Sequence, residues 1–145
     1  MLRIEIRKCL SDSEVMSTFE VMSQLRDIPK ENYVSLIRAM QESEKCQLIG
    51  AYIPDNRCVA AAVFRVKRSL FRKGERELQV DDFVTDESFR SQGVGHELIT
   101  GLKTECEREN CVGITLDSGL QRVDAHRFYE KEGFQSTAFH FYLEI

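Results

Sequence analysis

Glycine and positive charge meet at one strand-to-helix junction of the sequence. Residues 90–95 read RSQGVG and separate a strand-like stretch from a long helical pattern. Gly93 and Gly95 lack side chains, so backbone N–H groups there can turn toward an anion. The helix that follows contributes free N–H groups and the positive end of its dipole, and Arg90 contributes a positive charge. This combination suits a pyrophosphate group.

The same two glycines also suit a turn that binds nothing. Glycine commonly marks tight turns, and a lone Gly-X-Gly by itself favours that interpretation. The dinucleotide fingerprint GxGxxG is absent because position 98 is leucine, and no GKS or GKT follows as in a Walker loop. The junction therefore needs a second signal before it indicates a ligand.

Two adjacent carboxylates, Asp81 and Asp82, lie on the strand that enters the junction. Carboxylates are among the side chains that can act as general bases. Strict alternation predicts opposite faces, with Asp82 beside Val80 and Val84, so that one carboxylate faces a groove. We prefer Asp81, but either can instead cap a turn or lie on a solvated face. Asp117, which ends a later strand, is a third candidate or an Asx-turn residue.

The hydrophobic periodicity predicts the elements that hold these residues. Strands joined by short turns are expected to be antiparallel, and the strand–helix–strand over residues 77–116 must be a right-handed parallel crossover. We therefore predict one α/β domain over residues 1–145, with a mixed central sheet of about six to seven strands flanked by about four helices. The strands are predicted at 2–8, 47–53, 58–68, 77–85, 112–116 and 134–143, and the helices at 11–24, about 33–40, 94–109 and 123–131.

Composition narrows the class of protein. The 145 residues suit a single core, and a formal net charge of -4 argues against a general nucleic-acid binder. No signal peptide and no stretch of about 20 apolar residues is seen, so we expect no membrane association. Five scattered cysteines without a CxxC pair indicate reduced thiols and a cytoplasmic location, and three dispersed histidines indicate no metal site.

At this point the sequence resembles a family. Residues 90–95, followed by Leu98, resemble the R/Q-x-x-G-x-G/A pyrophosphate loop of GNAT N-acetyltransferases. Residues 125–134, AHRFYEKEGF, are similar to the A-x-x-x-Y-x-x-x-G-F segment of the same superfamily. The predicted order of elements agrees with that fold over nearly the whole chain. Residues 80–86 and 116–119 look like those of a bacterial branch whose substrates are mostly unassigned.

The resemblance implies transfer of an acetyl group from acetyl-CoA to an amine. An alkylammonium ion must lose a proton before it attacks the thioester, which gives the carboxylate pair its role as base. Arg90 would lie beside the CoA phosphates, and Phe83 and Val84 would pair through their backbones with the pantetheine arm. Four backbone N–H groups would hold the pyrophosphate: those of Gln92, Gly93, Val94 and Gly95.

Further roles follow from the second motif. Tyr129 would lie by the CoA sulfur and protonate the departing thiolate; without the motif, it would be an aromatic residue that packs a short helix. A backbone N–H near a β-bulge of the central strand would stabilise the oxyanion. The family often has asparagine seven residues before the tyrosine, whereas this chain has Arg122, which either contacts the CoA phosphates or faces solvent.

Two functions from different classes remain open. The first is acetyl transfer to a small amine or to a protein amine, and the second is a catalytically weak acyl-CoA-binding or partner-interaction module. The intact loop and Tyr129 favour the enzyme, whereas Arg122 favours the module. Acceptor choice is expected to depend on residues 26–31, where Asp27 would suit a cation. The apolar final strand, residues 134–143, would be an uncovered edge and makes a homodimer plausible.

Overall fold

The computed structural model describes residues 2–145. A five-stranded mixed sheet runs in the order β1-β2-β3-β4-β5, and its first four strands are antiparallel neighbours. The chain divides into two units, one up to Thr115 and one from Leu116 to Ile145. The strands are β1 (Glu5–Lys8), β2 (Gln47–Tyr52), β3 (Cys58–Arg68), β4 (Arg76–Thr85) and β5 (Cys111–Leu116). The helices are α1 (Asp12–Ser17), α2 (Phe19–Met22), α3 (Lys30–Ser43), α4 (Val94–Arg108) and α5 (Val123–Lys131), with a 3-10 turn at Glu87–Phe89.

Helix α4 lies against one face of the sheet. Leu98, Ile99 and Leu102 on this helix are fully buried, as expected for apolar residues at helical spacing. A Cβ on Gly101 would lie 2.7 Å from Ile6 Cγ2, so only glycine allows this close approach to β1. The buried face of α4 thus fixes where its N-terminus lies at the end of β4.

Helices α1, α2 and α3 cover the opposite face of the sheet. Val15 and Ile37 belong to a core that includes Leu48 of β2 and Val63 of β3. Leu48 and Val63 are cross-strand partners. Cross-strand partners share a face of an antiparallel sheet, so this face carries alternate residues of β2 and β3 up to the register shift between Ala51 and Tyr52.

The first predicted helix, residues 11–24, is divided at Thr18. Its predicted start is confirmed by a capping box between Ser11 and Glu14. The N–H of Thr18 donates to Val15 O at 3.1 Å, and its buried hydroxyl lies 2.7 Å from both Val15 O and Tyr33 Oη. A side chain that bonds to its own preceding turn competes with the helical pattern. The part of the chain that the structure describes therefore has five α-helices, not about four.

The predicted final strand, residues 134–143, was wrong. Residues 134–145 have no regular secondary structure. Phe139, Phe141 and Leu143 are more than 80% exposed, and so is Tyr142 on the alternate face. Alternation fixes a strand only where one of its faces is buried. The described residues accordingly form five strands rather than six to seven.

No helix within residues 2–145 has the length and apolar character needed to cross a bilayer.

Stability should fall in alkaline solution because of a buried thiol. Cys58 is 6% exposed, and burial raises its pKa from 9.0 to about 12. Below pH 9 the thiol is neutral in both states; above it the unfolded thiol ionises first, so stability is lost as the pH rises toward 12. The expected contribution is about 1.4 kcal/mol of unfolding free energy per pH unit.

Urea unfolding between pH 8 and 11 tests this expectation. Cys58→Ala should be less stable at neutral pH but should lose less stability per pH unit than the wild type. An equal slope for the two proteins would contradict the assignment to Cys58.

Candidate functional site

A β-bulge interrupts β4 where the two adjacent carboxylates lie. Val63 pairs with Asp82 and Phe64 pairs with Val80, so Asp81 is an extra residue without a partner on β3. The expectation that Asp81 and Asp82 lie on opposite faces was therefore wrong. An inserted residue breaks strict alternation, and it also places Val80 on the face opposite Asp82.

Contacts around the bulge show which face the carboxylates share. Asp81 Oδ1 accepts a hydrogen bond from Gln79 Nε2 at 2.9 Å, and Asp81 Oδ2 lies 3.3 Å from Arg65 Nε. Gln79 and Arg65 are cross-strand partners, and Arg65 lies two residues along β3 from Val63, the partner of Asp82. Both carboxylates thus lie on the face that α1, α2 and α3 cover.

Each carboxylate is paired with an arginine. Asp82 Oδ1 accepts from Arg26 Nε at 2.7 Å, across 56 residues of sequence. Arg65 Nε contacts Asp81 as an ion pair without an aligned hydrogen bond, and this buried nitrogen has no hydrogen-bond partner among residues 2–145. We call these four side chains the bulge cluster: Arg26, Arg65, Asp81 and Asp82. With two positive and two negative groups, its formal charge is zero.

The arginines of the bulge cluster were missed by the sequence analysis. The sequence did contain a signal for Arg65, because this charged residue directly follows the buried residues of β3 and lies two residues before Lys67, on the same face of the strand. Arg26 had none beyond its place in the loop after α2, since its partner is far along the chain. Asp27, the next residue, was expected near an acceptor groove.

A surface groove of about 530 Å³ begins one residue after Arg26. It combines apolar walls with a few polar groups and includes Asp27. The segment after α2 also contacts the segment after β4, because Gln24 Oε1 accepts a hydrogen bond from Glu87 N at 3.0 Å. The groove is lined by Asp27, Ile28, Pro29, Asn32, Ser35, Leu36 and Ala39.

The end of β4 leads directly into the expected anion loop. Phe83 and Val84 are buried and pair with Ala62 and Ala61 of β3. Asp86 Oδ1 then caps the 3-10 turn by accepting from Ser88 N at 2.8 Å. The chain therefore leaves the sheet in a fixed direction before residues 90–95.

Left-handed backbone shapes this loop. Ser91 has φ of 62° and Gly93 has φ of 83°. Gly93 is the N-cap residue of α4, and it provides no side-chain cap. A Cβ at Gly93 would meet no atom within 4 Å, so glycine is needed there for its conformation and the space beside it is open. Left-handed residues alternating with others before a helix N-terminus suit phosphate oxygens.

The other loop residues surround this backbone. Arg90 and Gln92 are exposed, and Gln92 Nε2 donates to Ser88 O at 3.2 Å. Val94 is buried as the first residue of α4, and Gly95 follows it in the first turn. The first N–H groups of a helix have no acceptor within the helix, so those of Val94 and Gly95 are open to an anion.

Tyr129 lies in the unit from Leu116 to Ile145, on α5. Its ring packs edge-to-face against Phe128 and Phe134, with centroids 5.5 and 5.7 Å apart. Burial raises the pKa of Tyr129, and the charge of Arg122 opposes this only in part. The phenol thus remains protonated at neutral pH, as a general acid requires. The expected end of α5 is confirmed by Gly133, at φ of 100°.

Arg122 and Asp117 also lie in this second unit. Arg122 is exposed and directly precedes α5. Asp117 is 71% exposed, and its Oδ2 lies 3.3 Å from His140 Nδ1. An exposed carboxylate of this kind is a weaker candidate base than the half-buried pair on β4. Residues 2–145 contain no group of three or more side chains arranged to hold a metal ion.

Comparisons with known proteins agree with the predicted family and order of elements. The model of the Acetyltransferase (GNAT) family matches residues 14–134. An uncharacterised N-acetyltransferase of Bacillus subtilis is 31% identical over 140 residues, which are 95% of this chain and 96% of the relative. A glucosamine 6-phosphate N-acetyltransferase of Trypanosoma brucei is 26% identical over 136 residues, 92% and 90% of the two chains.

A solved structure shows the same fold. An aminoglycoside N-acetyltransferase in complex with CoA superposes with a TM-score of 0.85 at 14% identity, covering 100% of this chain and 96% of the other. The family match spans most of the sequence and includes the bulge cluster, the anion loop and Tyr129. This chain belongs to the GNAT family of acetyltransferases.

Proposed function

We propose that this chain is an acetyl-CoA-dependent N-acetyltransferase, a single catalytic domain over residues 1–145 that acts in the cytoplasm. The acceptor would be a primary amine of a small molecule or a protein, attacking directly in a ternary complex. One observation carries the proposal: the left-handed Gly93 opens the N-terminus of α4 directly after the strand that bears Asp81 and Asp82. A second copy of the chain in a homodimer would cover the exposed Phe139 and Phe141.

The cofactor contacts in this proposal are mostly backbone groups. The N–H groups of Gln92, Gly93, Val94 and Gly95 would hold the pyrophosphate. The exposed Arg90 and Arg122 would neutralise phosphate charge. The backbones of Phe83 and Val84 would pair with the pantetheine arm as an added strand.

The catalytic groups would act one after another, each through a proton transfer or a hydrogen bond. Asp81 or Asp82 would take a proton from the acceptor's ammonium group, so that the amine can attack the thioester carbon. The irregular backbone of the bulge would donate an N–H to the oxyanion. As the C–S bond breaks, Tyr129 would protonate the sulfur, and the nitrogen would lose its second proton to solvent. The products would be an N-acetylated amine and free CoA, with one proton released to solvent once Tyr129 and the carboxylate return to their starting states.

Substitution separates the two carboxylates. We expect that one of Asp81→Asn and Asp82→Asn reduces kcat by about 100-fold, because loss of a general base typically costs 10² to 10⁴. Rates are measured as thiol release across pH 6 to 9.5. The variant whose rate is reduced near neutral pH and recovers as the free amine loses its proton at higher pH identifies the base, and wild-type rates in both would exclude the pair.

A titration and a rate measurement test the proposed reaction. We expect calorimetry to detect acetyl-CoA binding to the purified protein and an amine panel to give free CoA thiol with matching N-acetyl product. Glucosamine 6-phosphate belongs in the panel because one relative is named for it. A folded protein that does not bind acetyl-CoA would contradict the acetyltransferase assignment.

The second candidate function is an acyl-CoA-binding module with little turnover. It is favoured by the ion pairs at the bulge, since Arg26 and Arg65 already engage both carboxylates. Tight acetyl-CoA binding without product from any amine would select this alternative.

A further inference from the structure

We propose, on the basis of the transfer reaction above, that the acceptor is an amine that also carries an anionic group, a carboxylate or a phosphate. Arg26 and Arg65 would bind the anion, and Asp81 and Asp82 would bind the ammonium group. The bulge cluster is then a recognition site for a zwitterionic amine as well as the source of the base.

The exposure of the four side chains places the opposite charges at different depths. The carboxylates of Asp82 and Asp81 are 17% and 22% exposed. The guanidinium-bearing side chains of Arg26 and Arg65 are 48% and 36% exposed. A ligand that enters from solvent therefore meets positive charge first and negative charge behind it.

One donor in the cluster lacks an acceptor. Arg65 Nε is buried from solvent and makes no hydrogen bond within the described residues, although Asp81 Oδ2 lies 3.3 Å away. A buried donor without an acceptor is costly and is expected to gain a partner when one is offered. A carboxylate or phosphate oxygen would supply that partner, and a planar guanidinium is suited to both groups.

Charge balance selects against the alternative of a polycationic amine. The cluster has a formal charge of zero, so a second positive charge on the acceptor would find both carboxylates already neutralised. A zwitterion instead exchanges ion pairs one for one: its anion binds an arginine and its ammonium group binds the released carboxylate. No unpaired charge is left at a half-buried site.

The exchange also prepares the base for its step. A carboxylate released from a guanidinium is free to bind the ammonium group, which then lies beside it. The proton moves from nitrogen to the carboxylate, the N–C bond forms and the C–S bond breaks as in the proposed reaction. An acceptor without the anion would leave the arginine paired with the carboxylate that must take the proton.

Matched acceptor pairs test the proposal in the intact protein. Phosphoethanolamine is compared with ethanolamine for phosphate, and β-alanine with propylamine for carboxylate. The variants are Arg26→Gln and Arg65→Gln. The control is Arg38→Gln, because Arg38 is 37% exposed and pairs with Asp12 on α1 at 2.8 Å, away from the bulge.

The wild type should prefer the anionic member of at least one pair by tenfold or more in kcat/KM. That ratio should fall at least tenfold in Arg26→Gln or Arg65→Gln, mainly through KM, and stay unchanged in Arg38→Gln. Arg26→Lys, which keeps the charge, should retain part of the preference. Intrinsic amine reactivity cancels because each ratio is compared between proteins. Equal kcat/KM within both pairs, or a preference that both variants keep, would overturn the proposal.

Failure of acetyl transfer can be distinguished from failure of the anion site. If acetyl-CoA binds but no amine is acetylated, the proposed function fails, and anion binding is measured by thermal shift with phosphoethanolamine and β-alanine. A rise in Tm in the wild type that is lost in Arg26→Gln or Arg65→Gln would still support the anion site. No rise in the wild type would exclude it.

Discussion

Gly93→Trp is expected to weaken acetyl-CoA binding by at least about 100-fold, which corresponds to about 2.8 kcal/mol. The site beside Gly93 is open, since a Cβ there would meet no atom within 4 Å. An indole would project into the space that we assign to the pyrophosphate and would cover the first N–H groups of α4. Calorimetric titration with acetyl-CoA and with CoA measures the loss.

Gly74 provides a closely matched control. It also has φ of 83°, and a Cβ there would likewise meet no atom within 4 Å, but it lies in the turn between β3 and β4. Gly74→Trp should therefore carry the same left-handed strain, about 1–2 kcal/mol, and bind acetyl-CoA like the wild type. Equal affinity of the two variants for acetyl-CoA would mean that the cofactor does not bind at the anion loop, residues 90–95.

Local patterns were sufficient to place most elements. β3 was predicted at residues 58–68 and α5 at 123–131, and the structure has Cys58–Arg68 and Val123–Lys131. Both signals are local, one a run of apolar residues and the other a helical stripe with a glycine after it. The glycine loop was recognised for the same reason, because its conformation depends on Gly93 itself.

The arrangement of the candidate site depended on interactions that a single segment does not contain. The bulge at Asp81 is a property of the register between β3 and β4, and either strand alone reads as regular. The ion pair of Arg26 with Asp82 joins residues 56 positions apart. Sequence reasoning therefore found the carboxylates but neither their common face nor their partners.

The final segment shows the converse error. Its alternation of Phe139, Phe141 and Leu143 has the period of a strand, yet both faces of the segment are exposed. Periodicity indicates what a segment can bury, and a strand forms only when a partner supplies the backbone hydrogen bonds.

Tyr129→Phe should lower kcat by about 100-fold and leave the affinity for acetyl-CoA within about twofold. The substitution removes the proton donor and keeps the ring that packs between Phe128 and Phe134, so the loss should fall on the chemical step; general acids typically contribute 10² to 10⁴. Single-turnover thiol release measures the step, and calorimetry measures the binding.

The pH dependence gives this assignment a second test. Burial raises the pKa of Tyr129 above its ordinary value of 10.0, so the acid stays protonated in weakly alkaline solution. As the pH is raised, wild-type kcat should therefore not decrease until the pH exceeds about 10. Activity should rise with pH as the acceptor loses its proton and then level off.

Tyr142→Phe is the control for the pH test, because Tyr142 is 81% exposed and its hydroxyl should contribute nothing. If Tyr129→Phe turned over at the wild-type rate, the thiolate would leave without a tyrosine donor. If wild-type activity instead decreased as the pH was raised, before pH 9 was reached, a group with an ordinary or lowered pKa would be the acid. Either result would mean that Tyr129 is not the general acid, because its buried phenol loses its proton only at higher pH.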